Sequence, residues 1–432
     1  MIKYSRPIFC TIFLLLCGLA AAGEFDPGGF GTISDYLDSI YGEDNNAGLT
    51  AFPVLNIPMG GRSEGMAGAF AAVADDISFL EYNPAGSSML KRSELAFFHN
   101  NWIGDTKIEA GAFASRYKNF GFGAGAKWLY TPFTEYNMFG DRVSKGYYSE
   151  AVAVLNASCN FLSGYYFSGV SVGINLKGAF RFVPDFADDN DNVISGSGKS
   201  QSAAMVMGDI GALTRFDFLK PYSSRDRNTS FALVMRNLGP PSGTSLEDPY
   251  KDALPTTMVA ALAYKPLRPL LLSFDFSLPL NMTDPSLSEK PYWALGFAAD
   301  VTSFLSMRAG FQSKTGNVRV VVGSAVSLKK ISLDVNYTLD LVTQLQPLNR
   351  VSLGVRLDLG DQGRSSLSAR IDTLYLTGLD AYAAGNYAEA EHNWEEALKL
   401  DPKFAPAKES LAILRHARAV EQRINDLQRL EY

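Results

Sequence analysis

The chain has 432 residues, with 39 Lys or Arg against 45 Asp or Glu, so its formal net charge is −6. The chain is acidic, and its sequence shows no basic patch of the kind that binds a phosphate backbone. We therefore exclude nucleic acid as a partner. Only 3 histidines are present, and two of them, His392 and His416, lie near the C-terminus. With so few histidines, neither a Ser-His-Asp triad nor a histidine metal cluster is plausible. We therefore predict no catalytic residue, no metal site and no cofactor.

Residues 1–22 predict a signal peptide, because two basic residues precede an apolar run and a three-alanine cleavage site. Cys17 is the alternative, as a lipoprotein cysteine, but the leucine before it is bulkier than that processing normally accepts. The predicted mature chain keeps only Cys159, so we expect neither an internal disulfide nor a zinc site. No later apolar run reaches the ~20 residues of a membrane helix. A signal peptide, no membrane helix and many aromatic residues together favour a periplasmic β protein or an outer-membrane barrel.

Residues 60–86 are the densest run of small residues in the chain, after an irregular lead-in at residues 23–59. The glycines at the start of this run permit close backbone approach and positive φ. They are Gly60, Gly61, Gly65 and Gly68. The run closes with a turn in which the residue before proline is held out of the α region. The four residues of this turn are Asn83, Pro84, Ala85 and Gly86. We expect this segment to pack against something larger.

Period-two alternation then predicts about 14 strands across residues 93–360. Ile331, Leu333 and Val335 show it most clearly, because polar residues separate them. Strands of ten or more residues suit a tilted crossing of a membrane. The predicted strands lie near residues 94–104, 106–116, 119–130, 146–161, 165–182, 201–216, 228–238, 255–266, 268–278, 292–301, 304–313, 317–328, 331–341 and 348–359.

The connections between the strands are a second indication. Transmembrane barrels have short periplasmic turns and longer outer loops. When the first strand runs outward, the long connections fall on the outer side, at residues 131–145, 183–200, 239–254 and 279–291. The short ones fall on the inner side, at residues 117–118, 162–164, 302–303 and 329–330. This phase favours an all-β transmembrane barrel of antiparallel strands over a soluble sandwich, with both barrel ends in the periplasm.

Residues 365–432 change to a helical pattern, and we predict a small α-helical domain there. Residues 371–404 resemble a tetratricopeptide repeat, in which small residues of two helices pack against large ones. The positions that carry this resemblance are Gly378, Tyr382, Tyr387, Ala390, Trp394, Ala397 and Pro402. A third helix from residue 405 to about residue 427 is expected to cap the repeat through Leu411, Leu414 and Val420. An even number of strands returns the chain to the side on which the barrel begins, so we predict that this tail lies in the periplasm.

A small-residue segment that ends in Asn83-Pro84-Ala85 ahead of a barrel resembles the FadL family of outer-membrane transporters. The run also looks like the FadL-related PorV group and a set of spirochaete outer-membrane proteins. The resemblance implies that residues 23–92 are a lead-in and a hatch, which lies in the barrel lumen. It further implies hatch-gated passive uptake of a hydrophobic ligand, such as a long-chain fatty acid, in contact with outer-membrane lipid. We use the name hatch for residues 60–92.

The same resemblance suggests residues that border a ligand path. Four of them are apolar: Met66, Phe70, Phe79 and Met89. Arg62 and Arg92 are candidates to meet a carboxylate head group. Plain packing against the wall is the alternative for the apolar residues, and a salt bridge in the lumen is the alternative for the arginines.

Two further functions stay open from the sequence. In the first, the barrel is a protein-interaction or secretion-shuttle protein of PorV type, whose helical tail docks a periplasmic protein or peptide. In the second, the barrel is a structural outer-membrane protein without transport. An apolar cavity between hatch and wall would favour transport over both.

Overall fold

The computed structural model describes residues 44–136, 139–186, 192–199, 201–240, 253–314, 317–340 and 349–430. The predicted signal peptide and the first part of the lead-in lie outside these residues. Among the helices of the described ranges, none is both long enough and apolar enough to cross a membrane.

Within these ranges, fourteen strands form one closed antiparallel barrel. Each strand pairs with its neighbour in sequence, and β1 pairs with β14, from Ser93 opposite Gly360 to Asn101 opposite Val351. The strands are β1 Ser93–Asn101, β2 Lys107–Tyr117, β3 Phe120–Tyr136, β4 Arg142–Phe161, β5 Val170–Phe182, β6 Ala203–Phe216, β7 Thr229–Leu238, β8 Thr256–Leu267, β9 Leu270–Leu280, β10 Tyr292–Asp300, β11 Leu305–Lys314, β12 Asn317–Leu328, β13 Ile331–Asp340 and β14 Arg350–Gly360. The predicted fold class and strand number are confirmed.

Strand β5 shows why these sequences close into a membrane barrel. Ile174 and Leu176 point outward and are 57% and 58% exposed, as lipid-facing side chains of a barrel are. Ser171, Asn175 and Lys177 alternate with them, point inward and are buried. Period-two alternation therefore separates an apolar outer surface from a polar lumen.

The two ends of the barrel differ. The turn end carries both barrel termini and the connections 118–119, 162–169, 217–228, 268–269, 301–304 and 329–330. The opposite end, which we call the loop end, carries the connections 183–202, 239–255 and 281–291, which are longer than every turn-end connection except 217–228. The predicted loop 131–145 is wrong, because β3 and β4 stay paired as far as Tyr136 opposite Arg142. Continued antiparallel pairing satisfies backbone groups that a loop would leave to solvent.

The lead-in and the hatch run through the lumen from the loop end to the turn end. Near the loop end, the Gly48 amide donates to Glu289 at 3.0 Å, and the Ala51 amide donates to the Ala253 carbonyl at 2.9 Å. At the turn end, the hatch joins β1 beside Asp358, which pairs with Arg92. The regular elements of the lead-in and the hatch are short: 3-10 turns at Pro53–Asn56 and Pro84–Met89, and helices α1 Gly61–Gly65 and α2 Phe79–Tyr82.

The tail consists of helices α3 Arg364–Ala383, α4 Tyr387–Leu400 and α5 Ala405–Leu430. Trp394 is 1% exposed, and its indole nitrogen donates to the Tyr375 carbonyl at 3.2 Å. A Cβ on Gly378 would lie 2.4 Å from that indole, so the small residue is what lets α3 and α4 approach. The predicted cap is confirmed at Leu411 and Leu414, which are buried, whereas Val420 is 44% exposed.

Helix α3 begins directly after β14, seven residues before the first position of the predicted repeat (364 against 371). Asp361 stands at this junction and accepts hydrogen bonds from the amides of Ser365 and Gly363, at 2.8 and 3.0 Å. Hydrogen bonds from Ser365 and from Gly363 lower the pKa of the Asp361 carboxyl to about 2. An ionised carboxylate at a helix N-terminus stabilises the first turn, which fixes where the tail leaves the barrel.

The tail packs against the turn end of the barrel. The rings of Tyr165 and Phe404 meet edge to face with centroids 5.4 Å apart. Arg225, in the turn between β6 and β7, forms an ion pair with Asp372 of α3. Arg364 donates to the carbonyls of the last hatch residues, at 3.3 and 2.7 Å. The tail thus contacts two turns and the exit of the hatch.

Candidate transport site in the barrel lumen

The Asn-Pro-Ala turn is the best-anchored part of the hatch. The Asn83 side-chain oxygen accepts from the Ala85 amide at 3.0 Å and caps the 3-10 turn that follows. Its side-chain nitrogen donates to the Ala71 carbonyl at 2.8 Å. Asn83 and Ala85 are 0% exposed, so the motif ties two parts of the hatch together inside the lumen.

Three wall glycines form a seat for this turn. A Cβ on Gly121 would lie 2.1 Å from the Ser87 backbone, and one on Gly173 would lie 2.2 Å from the Pro84 carbonyl oxygen. A Cβ on Gly211 would lie 2.4 Å from the Asn83 side-chain oxygen. Real Cβ atoms do not approach so closely, so the hatch contacts the bare backbone of β3, β5 and β6.

The other end of the hatch has a second seat on the opposite part of the wall. A Cβ on Gly310 would lie 2.3 Å from the Ala67 amide nitrogen, and one on Gly296 would lie 2.8 Å from Met66. On the hatch side, a Cβ on Gly65 would lie 2.6 Å from the Asn336 side chain. The segment at residues 65–69 therefore lies directly against β10, β11 and β13.

The glycines predicted as hinges do two different things. Gly60, Gly61 and Gly68 have φ of 129°, 73° and 82°, which a residue with a side chain adopts only with strain. Gly65 instead serves close approach to the wall. Their role as hinges stays a prediction.

Buried polar contacts hold the hatch to the wall between the two seats. Asp275 of β9 accepts from the amides of Phe70 and Ala71, at 3.1 and 2.9 Å. Asp76 forms an ion pair with Arg356 of β14 at 2.6 Å. These contacts pair hatch groups that the lumen would otherwise leave unsatisfied, and buried unsatisfied groups are costly.

The residues predicted to border a ligand path lie in packed regions. Met66, Phe70 and Phe79 are 0% exposed and Met89 is 6% exposed. Arg62 pairs with Asp75 at 2.6 Å, and Arg92 pairs with Asp358 at the turn end. The contacts therefore agree with the alternative interpretations, packing and salt bridges. A part in ligand passage stays a prediction for all six.

A cavity of about 160 Å³ lies instead between the lead-in, the hatch and the wall. Apolar side chains such as Leu80, Val152 and Val259 line part of it. Its polar part contains six basic side chains: Lys127, Lys177, Arg236, Lys314, Arg319 and Arg350. The sequence analysis missed them. Their signal was a basic residue at an inward position within a strand, which a barrel tolerates best toward its lumen.

The wall beside this cavity is thin. Ala112, Gly125 and Ala126 border the cavity and also border a depression of about 680 Å³ with an open, lipid-facing side. Phe97 and Leu155 stand around that depression and are 53% and 62% exposed. Val154 and Lys177 border both as well, so one layer of wall residues, which includes these small ones, separates the lumen cavity from the region where lipid packs against the barrel.

In the part of the chain that the structure describes, no group of three His, Cys, Asp or Glu side chains could hold a metal ion. The lumen groups offer ion pairs, hydrogen bonds and apolar contact, which are the interactions of a passage or a binding cavity.

The family described as "Uncharacterised protein family (UPF0164)" matches residues 36–362. A UPF0164 protein of Treponema pallidum (strain Nichols) is 30% identical over 407 residues, covering 91% of this chain and 88% of its own. The chain belongs to the UPF0164 family. A second UPF0164 protein of that organism is 28% identical over 398 residues, covering 86% of this chain and 77% of its own. A tetratricopeptide repeat matches residues 371–404, as predicted.

Two solved structures are similar to this UPF0164 chain in fold. One is described as "CymD monoaromatic hydrocarbon channel", with TM-score 0.48 and 13% identity, covering 70% of this chain and 97% of that one. The other is a Pseudomonas aeruginosa FadL homologue, with TM-score 0.42 and 11% identity, covering 68% and 97%. These proteins indicate no enzyme family.

Proposed function

We propose that the protein is a passive outer-membrane channel for hydrophobic small molecules, in which the hatch controls passage. The observation that carries this proposal is the cavity between hatch and wall, next to a lipid-facing depression across a single layer of wall residues that includes Ala112, Gly125 and Ala126. A ligand in the cavity is shielded from the charged outer surface, and the thin wall offers the shortest route between lumen and lipid.

The size of the cavity separates two classes of ligand. An engineered protein cavity of roughly 150 Å³ binds benzene, and the cavity here has about 160 Å³. A single-ring compound therefore fits while the hatch stays seated. A long-chain fatty acid, which the FadL resemblance suggests, is several times larger and needs the hatch to leave one of its seats.

A disulfide between hatch and wall tests this proposal. The hydroxyl oxygens of Ser87 and Ser158 are 2.6 Å apart, so Ser87→Cys with Ser158→Cys should lock the hatch onto its seat. The background carries Cys159→Ala to remove the native thiol. In proteoliposomes we expect the locked protein to lose passage of palmitate and to keep passage of toluene. Reduction should restore palmitate passage.

Each single-cysteine variant serves as the control, because it cannot form the lock. Equal palmitate passage through locked and reduced protein would contradict gating by the hatch. If the wild type carried neither compound faster than protein-free liposomes do, the channel itself would be refuted.

A second candidate function is docking of a partner protein by the tail, which we place in the periplasm because it lies at the turn end. The observation that favours it is an apolar row on α5: Ile413, Val420 and Ile424 are 64%, 44% and 50% exposed. With Ile413→Glu and Ile424→Glu together, we expect crosslinks to periplasmic proteins in whole cells to disappear, while ligand passage stays unchanged. Crosslinks that persist in this variant would contradict docking by α5, and Ala412→Glu with Ala419→Glu, at exposed positions beside the row on the same helix, is the control for added charge.

A further inference from the structure

The lumen cavity contains buried polar atoms that have no hydrogen-bond partner among the described residues. They include a carboxylate oxygen of Glu64, a carboxylate oxygen of Asp275 and the Nε of Arg236. All three residues line the cavity. Glu64 and Asp275 are only 4% and 3% exposed. Buried polar groups in native structures are nearly always paired, so three exceptions around one cavity call for an explanation.

The three atoms differ in what they need. The two carboxylate oxygens accept hydrogen bonds, whereas the guanidinium nitrogen donates one. A hydroxyl group can donate and accept, so it matches both kinds of atom. A hydrocarbon leaves all of them unpaired. A carboxylate ligand would pair with Arg236 but has no hydrogen to donate to the oxygens of Glu64 and Asp275.

Acidic partners already neutralise the three lysines around the cavity. Lys127 pairs with Glu81 at 2.6 Å, and Lys177 pairs with Asp209 at 2.7 Å. Lys314 pairs with Glu289 at 2.6 Å. The guanidinium of Arg236, which lines the cavity, lies over the ring of Tyr82, 5.7 Å from its centroid.

We propose that this cavity binds neutral, hydroxyl-bearing compounds of single-ring size, of the phenol class, in preference to hydrocarbons or carboxylates of equal size. The apolar lining takes the ring, and the unpaired atoms of Glu64, Asp275 and Arg236 take the hydroxyl. This inference rests on the proposed channel function and names the class of compound that the seated hatch admits.

The test compares three probes of nearly equal size, toluene, p-cresol and 4-methylbenzoate, with the full-length protein in proteoliposomes. Passage rates are corrected for protein-free liposomes, and binding is measured in detergent. We expect p-cresol to bind at least about tenfold more tightly than toluene or 4-methylbenzoate, the size expected for a hydrogen bond to a charged group. Arg236→Met should remove about tenfold of that preference.

The outcomes separate this inference from the proposed function. If water alone fills the cavity, p-cresol binds no better than toluene, and the inference is overturned while the channel stands. Tightest binding of 4-methylbenzoate would overturn it in favour of an anion site. Passage of none of the three probes would refute the channel. Glu64→Gln gives an independent variant, and the wild-type probe series decides if either variant fails to fold.

Discussion

Replacing Gly173 by alanine is expected to unseat the hatch and to make the barrel leak small ions. The new Cβ would lie 2.2 Å from the Pro84 carbonyl oxygen, which is backbone and cannot rotate aside. Overpacking of this kind costs about 1–3 kcal/mol. That range moves the balance between seated and unseated hatch by about 5- to 150-fold. Single-channel conductance in planar bilayers measures the leak directly.

Gly178→Ala is the matched control for this experiment. It lies on the same strand but on the lipid-facing side, and the nearest atom to its Cβ is the Phe180 ring at 3.4 Å. We expect this variant to stay as closed as the wild type. A closed Gly173→Ala channel would mean that the hatch shifts along the wall without opening a passage, and the seat would then have no part in gating.

The second large effect is expected at the ion pair between Asp76 and Arg356. Its oxygen and nitrogen are 2.6 Å apart, and the two side chains are 3% and 17% exposed. Loss of one partner of a buried pair costs about 3–5 kcal/mol, because the other charge stays buried. Asp334 lies 3.9 Å from Arg356 and compensates part of that charge. For Asp76→Asn we therefore expect the lower end of the range.

Hydrogen exchange of the hatch amides measures this loss. The amides of residues 76–80 should exchange roughly 100-fold faster in Asp76→Asn, which corresponds to about 3 kcal/mol. Asp226→Asn is the control, since the pair of Asp226 with Lys91 is 62% and 66% exposed. Exposed pairs contribute about 0–1 kcal/mol. Equal protection in the two variants would show that the seats alone hold the hatch in place.

Local patterns in the chain were enough to predict several features. The period-two alternation of residues such as Ile331, Leu333 and Val335 leads to the barrel, and the phase of long and short connections leads to its two ends. Gly378 and Trp394 indicate the helical repeat. Each of these signals is complete within one strand, one hairpin or one pair of helices, so no knowledge of distant contacts is needed.

Local patterns could not predict the contacts between segments that are distant in sequence. The loop predicted at residues 131–145 is largely strand, because pairing with a neighbour and not local composition sets where β3 ends. Val420 was predicted as part of the cap, yet it is exposed, because nine residues after Leu411 are about two and a half turns and place it on the opposite side of α5.

The Asn-Pro-Ala turn shows which features its own sequence determines and which features only the tertiary structure determines. Its sequence specifies a capped 3-10 turn, since the Asn83 side chain reaches the Ala85 amide two residues on. Its seat requires Gly121, Gly173 and Gly211 from three different strands, and these become neighbours only when the barrel has closed. The same holds for the cavity, where Glu64 of the hatch and Arg236 of β7 meet across 172 residues of chain (236 − 64). Barrel closure brings them together because inward positions of every strand converge on one lumen.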